Sequence, residues 1–309
     1  MTVPISMWVG FSLFVLFMLA LDLGVFHRKA HAVRMKEALA WSAVWIGLAF
    51  VFNALVYFWF GEQKALEFLA GYLIEKTLSV DNVFVFVVLF GAFAVPREYQ
   101  HRVLFWGVLG ALVMRAVCIA AGAALLQHFH WVIYIFGALL VVTAVKLLRQ
   151  KNETIDPSRN PLYRMFAKRI PSVPEYDGEK FFTIRNDKRY ATPLLLVLLA
   201  IEATDLVFAV DSIPAIFAIT NDPFIVYTSN VFAILGLRAL YFVLADVVDK
   251  FVYIKPALAV ILGFVGVKML LMEVYKIPIA VSLGVIASTL IIAAVASMLH
   301  QRKAGLSAP

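Results

Sequence analysis

Apolar residues in this chain fall in long runs separated by short polar breaks, the pattern of helices that cross a bilayer. A hydrocarbon core of roughly 30 Å needs about twenty apolar residues at helical rise. Nine such spans can be drawn, at 6–26, 39–60, 67–94, 103–125, 131–148, 192–219, 224–247, 255–273 and 277–299. The pattern predicts an all-α polytopic membrane protein. It divides into an N-terminal two-helix layer (1–60), a three-helix unit (67–148), a polar segment (149–191), a second three-helix unit (192–273), and a last helix with its tail (277–309). Four prolines punctuate the polar segment, Pro157, Pro161, Pro171 and Pro174. A short basic helix is expected there at Leu162–Ile170, and a hairpin over Phe181–Ala191 turning at Asn186-Asp187.

Composition agrees with a bilayer environment. Hydrophobic residues make up 63% and charged residues 15%, with a mean hydropathy of +0.89. Soluble domains carry about a quarter charged residues. The net charge of +7 gives no indication of nucleic acid, because the basic residues sit between the apolar runs. Arg28, Lys29, Arg34 and Lys36 follow the first span, Arg97 and Arg102 follow the third, ten Lys or Arg lie in 149–191, and Arg302 and Lys303 close the chain. The alternate connections carry little positive charge, so the positive-inside rule places the N-terminus outside and the C-terminus in the cytoplasm. The lone Cys118 excludes an intrachain disulfide.

The two three-helix units carry matching signatures. Asp81-x-Val83-Phe84 matches Asp205-x-Val207-Phe208, Arg115-Ala116 matches Arg238-Ala239, and Val145-Lys146 matches Val267-Lys268, at offsets of 124, 123 and 122 residues. With three spans per copy the second enters from the opposite face. That makes an inverted repeat of three plus three helices, an architecture that places an ion site near the midplane.

Ionisable groups at bilayer depth are costly and mark function. The third span carries Glu75, Asp81 and Asn82; the sixth carries Glu202, Asp205, Asp211 and Ser212. Because the two spans run in opposite directions, straight helices at 1.5 Å per residue place Asp81 level with Asp205. Glu75 and Asp211 then share a level about 9 Å outward. Asp211 falls opposite Glu202 on a straight helix, so a helix break at Ser212–Pro214 is expected to turn it inward and free backbone carbonyls. Arg115 and Arg238 are candidate charge-balancing partners. Five carboxylates against two arginines leave a deficit that a divalent cation would offset. All six histidines lie outside the spans, and an oxygen-only ligand set favours Mg²⁺, Ca²⁺ or Mn²⁺ over Zn²⁺. Paired aspartates could also serve an intramembrane protease. The chain has neither a Gly-x-Gly-Asp nor a His-Glu-x-x-His motif, and no enzymatic activity is expected.

The stretches Glu75–Phe86 (EKTLSVDNVFVF) and Glu202–Pro214 (EATDLVFAVDSIP) resemble the TerC family of membrane proteins. So do Ala20-Leu21-Asp22, Thr192–Leu195 and Phe232–Arg238. The resemblance implies a nine-span protein of the bacterial cytoplasmic membrane, associated with Mn²⁺ export and with metal delivery to exported enzymes. Alx-type members are associated with alkaline growth, and the family name with tellurium resistance. The family's acidic metal residues carry over onto Glu75, Asp81, Glu202, Asp205 and Asp211. The expected function is therefore divalent metal transport, Mn²⁺ efflux first and other divalent cations after it. The lipid bilayer and the metal ion are the partners expected; no nucleic acid is, and membrane or secretion partners stay unassigned. The competing reading is a non-transporting membrane partner in metal, tellurium or alkaline stress, or in membrane-protein assembly.

Overall fold

The computed structural model describes residues 3–24, 35–129, 131–149, 170–185, 187–244, 253–272, 274–275 and 277–306. Ten helices and one hairpin are described: α1 (Ile5–Gly24), α2 (Met35–Phe60), α3 (Glu62–Ala92), α4 (Arg97–His128), α5 (Val132–Arg149), β1 (Phe182–Arg185), β2 (Lys188–Ala191), α6 (Pro193–Phe217), α7 (Pro223–Leu235), α8 (Leu237–Leu244), α9 (Ile254–Leu270) and α10 (Ile279–Leu306). Among the described residues six helical stretches are long and apolar enough to cross a membrane: Met35–Phe60, Arg97–Leu126, Val132–Arg149, Pro193–Phe217, Pro223–Val243 and Ile279–His300. The apolar parts of α1 and α9 are shorter. Helix α3 is 31 residues long, but Glu75, Lys76 and Asp81 interrupt even its most apolar stretch.

Sharp local signals set the helix ends. Only Gly61 separates α2 from α3, and its φ of 85° is a left-handed conformation that a side chain would strain. Asp222 caps α7 by accepting from the Phe224 amide at 3.1 Å, with Pro223 in the first turn. Pro214 does not open α6. The helix runs unbroken through Ser212 and Pro214 to Phe217, so the expected break is absent there. A proline deletes one donor and crowds one carbonyl, and packing on both sides of the helix holds the remaining turns. The break in the second unit lies instead at Gly236, between α7 and α8.

Helix α3 is the axis of the assembly and packs on α2, α6, α7 and α10, while α4 packs on α6 and α7. Helices α5 and α9 form the tightest crossing. Added Cβ atoms at Gly137 and Gly266 would lie 3.0 and 2.8 Å from each other's carbonyl oxygens. Small residues allow this approach, and dispersion is the attraction available where lipid removes the hydrophobic one. An aromatic cluster of Phe11, Phe52, Phe68, Phe224 and Phe232 ties α1 and α2 to α3 and α7.

The expected hairpin is present, with Thr183 opposite Tyr190 and Asp187 at φ 58° in the turn. It is docked at the polar ends of α3 and α4, where Tyr176 donates to the Phe93 carbonyl at 2.6 Å and Arg102 pairs with Glu179 at 3.4 Å. Hydrogen bonds from Thr183 and Lys180 hold the Asp177 carboxyl below its ordinary pKa. The basic helix expected at Leu162–Ile170 lies almost wholly outside the described residues.

Candidate functional site

Helix α4 carries the centre of the site. Arg115 is 2% exposed, and its guanidinium lies between two carboxylates, Glu75 from α3 (0% exposed) and Asp205 from α6 (4%). Nη1 donates to Glu75 Oε1, to Ser212 Oγ at 3.0 Å and to Asn230 Oδ1 at 3.4 Å; Nη2 donates to Asp205 Oδ1 at 3.2 Å. Asn230 on α7 also donates to Glu75 Oε2 at 3.3 Å, and Asn82 on α3 donates to Asp205 Oδ1 at 3.2 Å. Four helices therefore meet on one network. Arginine suits this place because its fork reaches two carboxylates at once and stays charged in a dry interior.

The step of about 9 Å between Glu75 and Asp205 expected from straight helices does not keep their carboxylates apart, because one guanidinium reaches both. The 9 Å estimate compared Cα heights along ideal axes and ignored helix tilt and the reach of Glu and Arg side chains.

The network leaves acceptors over. Asp205 Oδ2, Asn82 Oδ1 and Ser79 Oγ are buried with no hydrogen-bond partner among the described residues, as is the donor Arg115 Nε. A buried polar atom without a partner costs about 1–3 kcal/mol, so three such oxygens on neighbouring side chains of α3 and α6 call for an explanation. Oxygens of a carboxylate, an amide and a hydroxyl are the donor set a hard divalent cation accepts.

The other expected site residues are placed as follows. Glu202, half-buried on α6, sets its carboxylate against Gly110 of α4, where an added Cβ would lie 2.0 Å from Oε1. Arg238 is buried on α8. Asp81 lies on α3 and Asp211 on α6, but their side chains fall outside the described residues. Among the described residues no three His, Cys, Asp or Glu side chains converge as a metal cluster. The cation held between Glu75 and Asp205 is the guanidinium.

Two participants were missed in the sequence. Asn230 sits in a Thr228-Ser229-Asn230 run that is polar within an apolar helix, which was the available signal. Gly110 gave none, since its role depends on what faces it. Lys76 faces α7, with Nζ 3.4 Å from the Ala233 carbonyl and 2.7 Å from where a Cβ on Gly236 would stand. It thus fills the break between α7 and α8. A separate polar cavity of about 480 Å³ opens at the N-terminal end of α3, lined by Lys64, Glu67, Thr220 and Asp222. There Lys64 bridges Glu67 (2.7 Å) and Asp222 (3.6 Å), and Thr220 donates to Glu67 at 2.5 Å.

Long apolar helices around a buried network of charged side chains define an integral membrane protein with a polar centre. The integral membrane protein TerC family matches residues 60–305, and the chain belongs to that family. It is 56% identical over 302 residues to an uncharacterized membrane protein of Myxococcus xanthus, covering 98% of this chain and 95% of that one. It is 50% identical over 295 residues to the Alx proteins of Shigella flexneri and Escherichia coli K12, covering 92% of each chain. Those proteins bear the provisional name of membrane-bound redox modulators. No solved structure matches the chain.

Proposed function

We propose that this protein is a divalent-cation transporter of the bacterial cytoplasmic membrane, with Mn²⁺ efflux as its activity. The observation that carries the reading is the pair of buried carboxylates, Glu75 and Asp205, with Asp205 Oδ2, Asn82 Oδ1 and Ser79 Oγ buried and without a partner among the described residues. Glu202, Asp81 and Asp211 complete the ion's path in this reading, and Asn82 adds a neutral ligand. In this reading the apolar runs form nine spans, and the distribution of basic residues puts the N-terminus outside.

Contacts between the halves support the inverted repeat. Helix α3 packs on α7 as α4 packs on α6, the exchange a twofold axis requires. At the α5–α9 crossing, Ala144 approaches Gly263 and Val141 approaches Gly266. Each of these contacts is the image of the other at the 122-residue offset of the sequence repeat. A site between two such halves is suited to alternating access.

The test is initial-rate Mn²⁺ transport by purified protein in vesicles, with and without a pH gradient, for wild type and Asp205→Asn. Transport by wild type and none by the variant is the expected result. Equal flux through both, or none above protein-free vesicles, would instead favour the non-transporting stress or assembly role.

A further inference from the structure

We propose that Arg115 is a tethered competitor of the transported cation, occupying the carboxylate pair when the ion is absent and yielding it when the ion arrives. The inference rests on the transport reading above and adds to it the step by which the site resets. The guanidinium of Arg115 holds the place between Glu75 and Asp205 that a cation would take. Arginine cannot neutralise itself by losing a proton, so ion and guanidinium exclude each other by charge as well as by volume.

The surroundings provide for both states. In the state described, two carboxylates face one guanidinium, and Asp205 Oδ2 and Asn82 Oδ1 have no donor among the described residues. A divalent ion at the pair would balance both carboxylates and take up those free oxygens. The displaced guanidinium would keep two partners it already has, the neutral oxygens of Ser212 and Asn230. They allow Arg115 to step aside without being stranded in a dry interior. Because Arg115 lies on α4, Glu75 on α3 and Asp205 on α6, the exchange releases α4 from the carboxylates of one helix in each half. Binding is thereby coupled to the relative movement of the halves.

An internal competitor has a measurable signature. If the arginine-held state is populated at about 90–99%, apparent affinity for the ion is weakened by about 10- to 100-fold relative to the free site. Removing the competitor should tighten binding and slow release. The experiment is equilibrium dialysis of Mn²⁺ against detergent-purified wild type, Arg115→Gln and Arg115→Lys. It is paired with vesicle transport and with melting curves in chelator and in Mn²⁺. Arg115→Gln should bind Mn²⁺ at least about tenfold more tightly than wild type, turn over more slowly, and melt low in chelator but near wild type in Mn²⁺. Arg115→Lys keeps one charge without the fork and should fall between them in both affinity and turnover. A purely structural arginine predicts the opposite: Arg115→Gln stays destabilised in Mn²⁺ and binds it no better. That result overturns the inference and leaves transport standing. Should Arg115→Gln not accumulate, Arg115→Lys decides, and affinity equal to or weaker than wild type overturns the proposal. Wild type that neither binds nor transports Mn²⁺ removes the transport reading itself.

Discussion

Substituting Gly110 by alanine should separate the function of this protein from its stability. A Cβ at Gly110 would stand 2.0 Å from Glu202 Oε1, 2.4 Å from its carboxyl carbon and 2.6 Å from Oε2. All three atoms are at the free end of a flexible side chain, so the clash is relieved by rotating Glu202 away. Holding that side chain off its preferred rotamer costs about 0.5–1.5 kcal/mol. Replacing a helical glycine by alanine returns about 0.8–1 kcal/mol. The two nearly cancel, and the melting temperature in detergent should stay close to wild type. Transport should not, because the carboxylate one turn from Asp205 has been displaced. In vesicles the initial Mn²⁺ rate of Gly110→Ala should fall to that of Glu202→Ala, and the double variant should be no worse than either single one. This non-additivity is the mark of a shared cause. Gly107→Ala is the control: its Cβ meets the apolar side-chain atoms Ile201 Cγ2 at 3.3 Å and Leu198 Cδ1 at 3.9 Å, on the same two helices. Wild-type flux through Gly110→Ala, or losses that multiply in the double variant, would refute the placement of Glu202 as part of the path.

Gly266→Ala should behave in the opposite way, because its Cβ would lie 2.8 Å from the Gly137 carbonyl, a backbone atom that cannot step aside; a loss of about 1–3 kcal/mol is expected by melting or denaturant titration. Asp81→Asn and Asp205→Asn should abolish Mn²⁺ efflux from manganese-loaded cells while the protein still inserts at normal levels on a blot. Glu75→Gln should be as severe as Asp205→Asn, since both acids share Arg115; a mild Glu75 defect would return it to an outer approach. Asp177 is held below its ordinary pKa of 3.8 by Thr183 and Lys180, so its contribution to hairpin docking is full above that pH and fades as the pH falls through the lower folded value. Asp177→Asn should remove the contribution at neutral pH, read as faster hydrogen exchange of the Thr192 amide bonded to Phe181.

Spans and acids were legible in the sequence because bilayer physics writes them plainly. An apolar run of some twenty residues has few other uses, and Glu75, Asp205 and Arg115 stand out within such runs. Which acid meets which arginine was not legible. Depth along a straight helix says nothing about tilt, and tilt is set by neighbours such as the close α5–α9 crossing at Gly137 and Gly266. Asn230 was overlooked for a related reason. An amide in an apolar helix is unremarkable until the helix it faces is known, and its two bonds to Arg115 and Glu75 come from elements more than a hundred residues away.

The misplaced helix break is the more instructive case, since both Pro214 and Gly236 were visible as letters. Proline is the stronger breaker in isolation, costing about 3 kcal/mol in a helix interior against about 1 for glycine. Yet α6 stays helical through Pro214, and the break falls at Gly236. The difference lies in what can compensate. At Gly236 the absence of a Cβ admits Lys76, whose ammonium lies 3.4 Å from the Ala233 carbonyl. A charged donor thus stabilises the interrupted turn, and the turn in return gives a half-buried lysine its acceptor. No such exchange exists in the first unit, where α4 runs unbroken through the position matching Gly236 and carries Arg115 into the carboxylates. The two halves match in sequence yet differ where it matters for an ion: one presents its arginine from a rigid helix, the other from just beyond a break that Lys76 holds. Under the transport reading, two halves that differ in this way give the scaffold distinct packings between which the site can alternate.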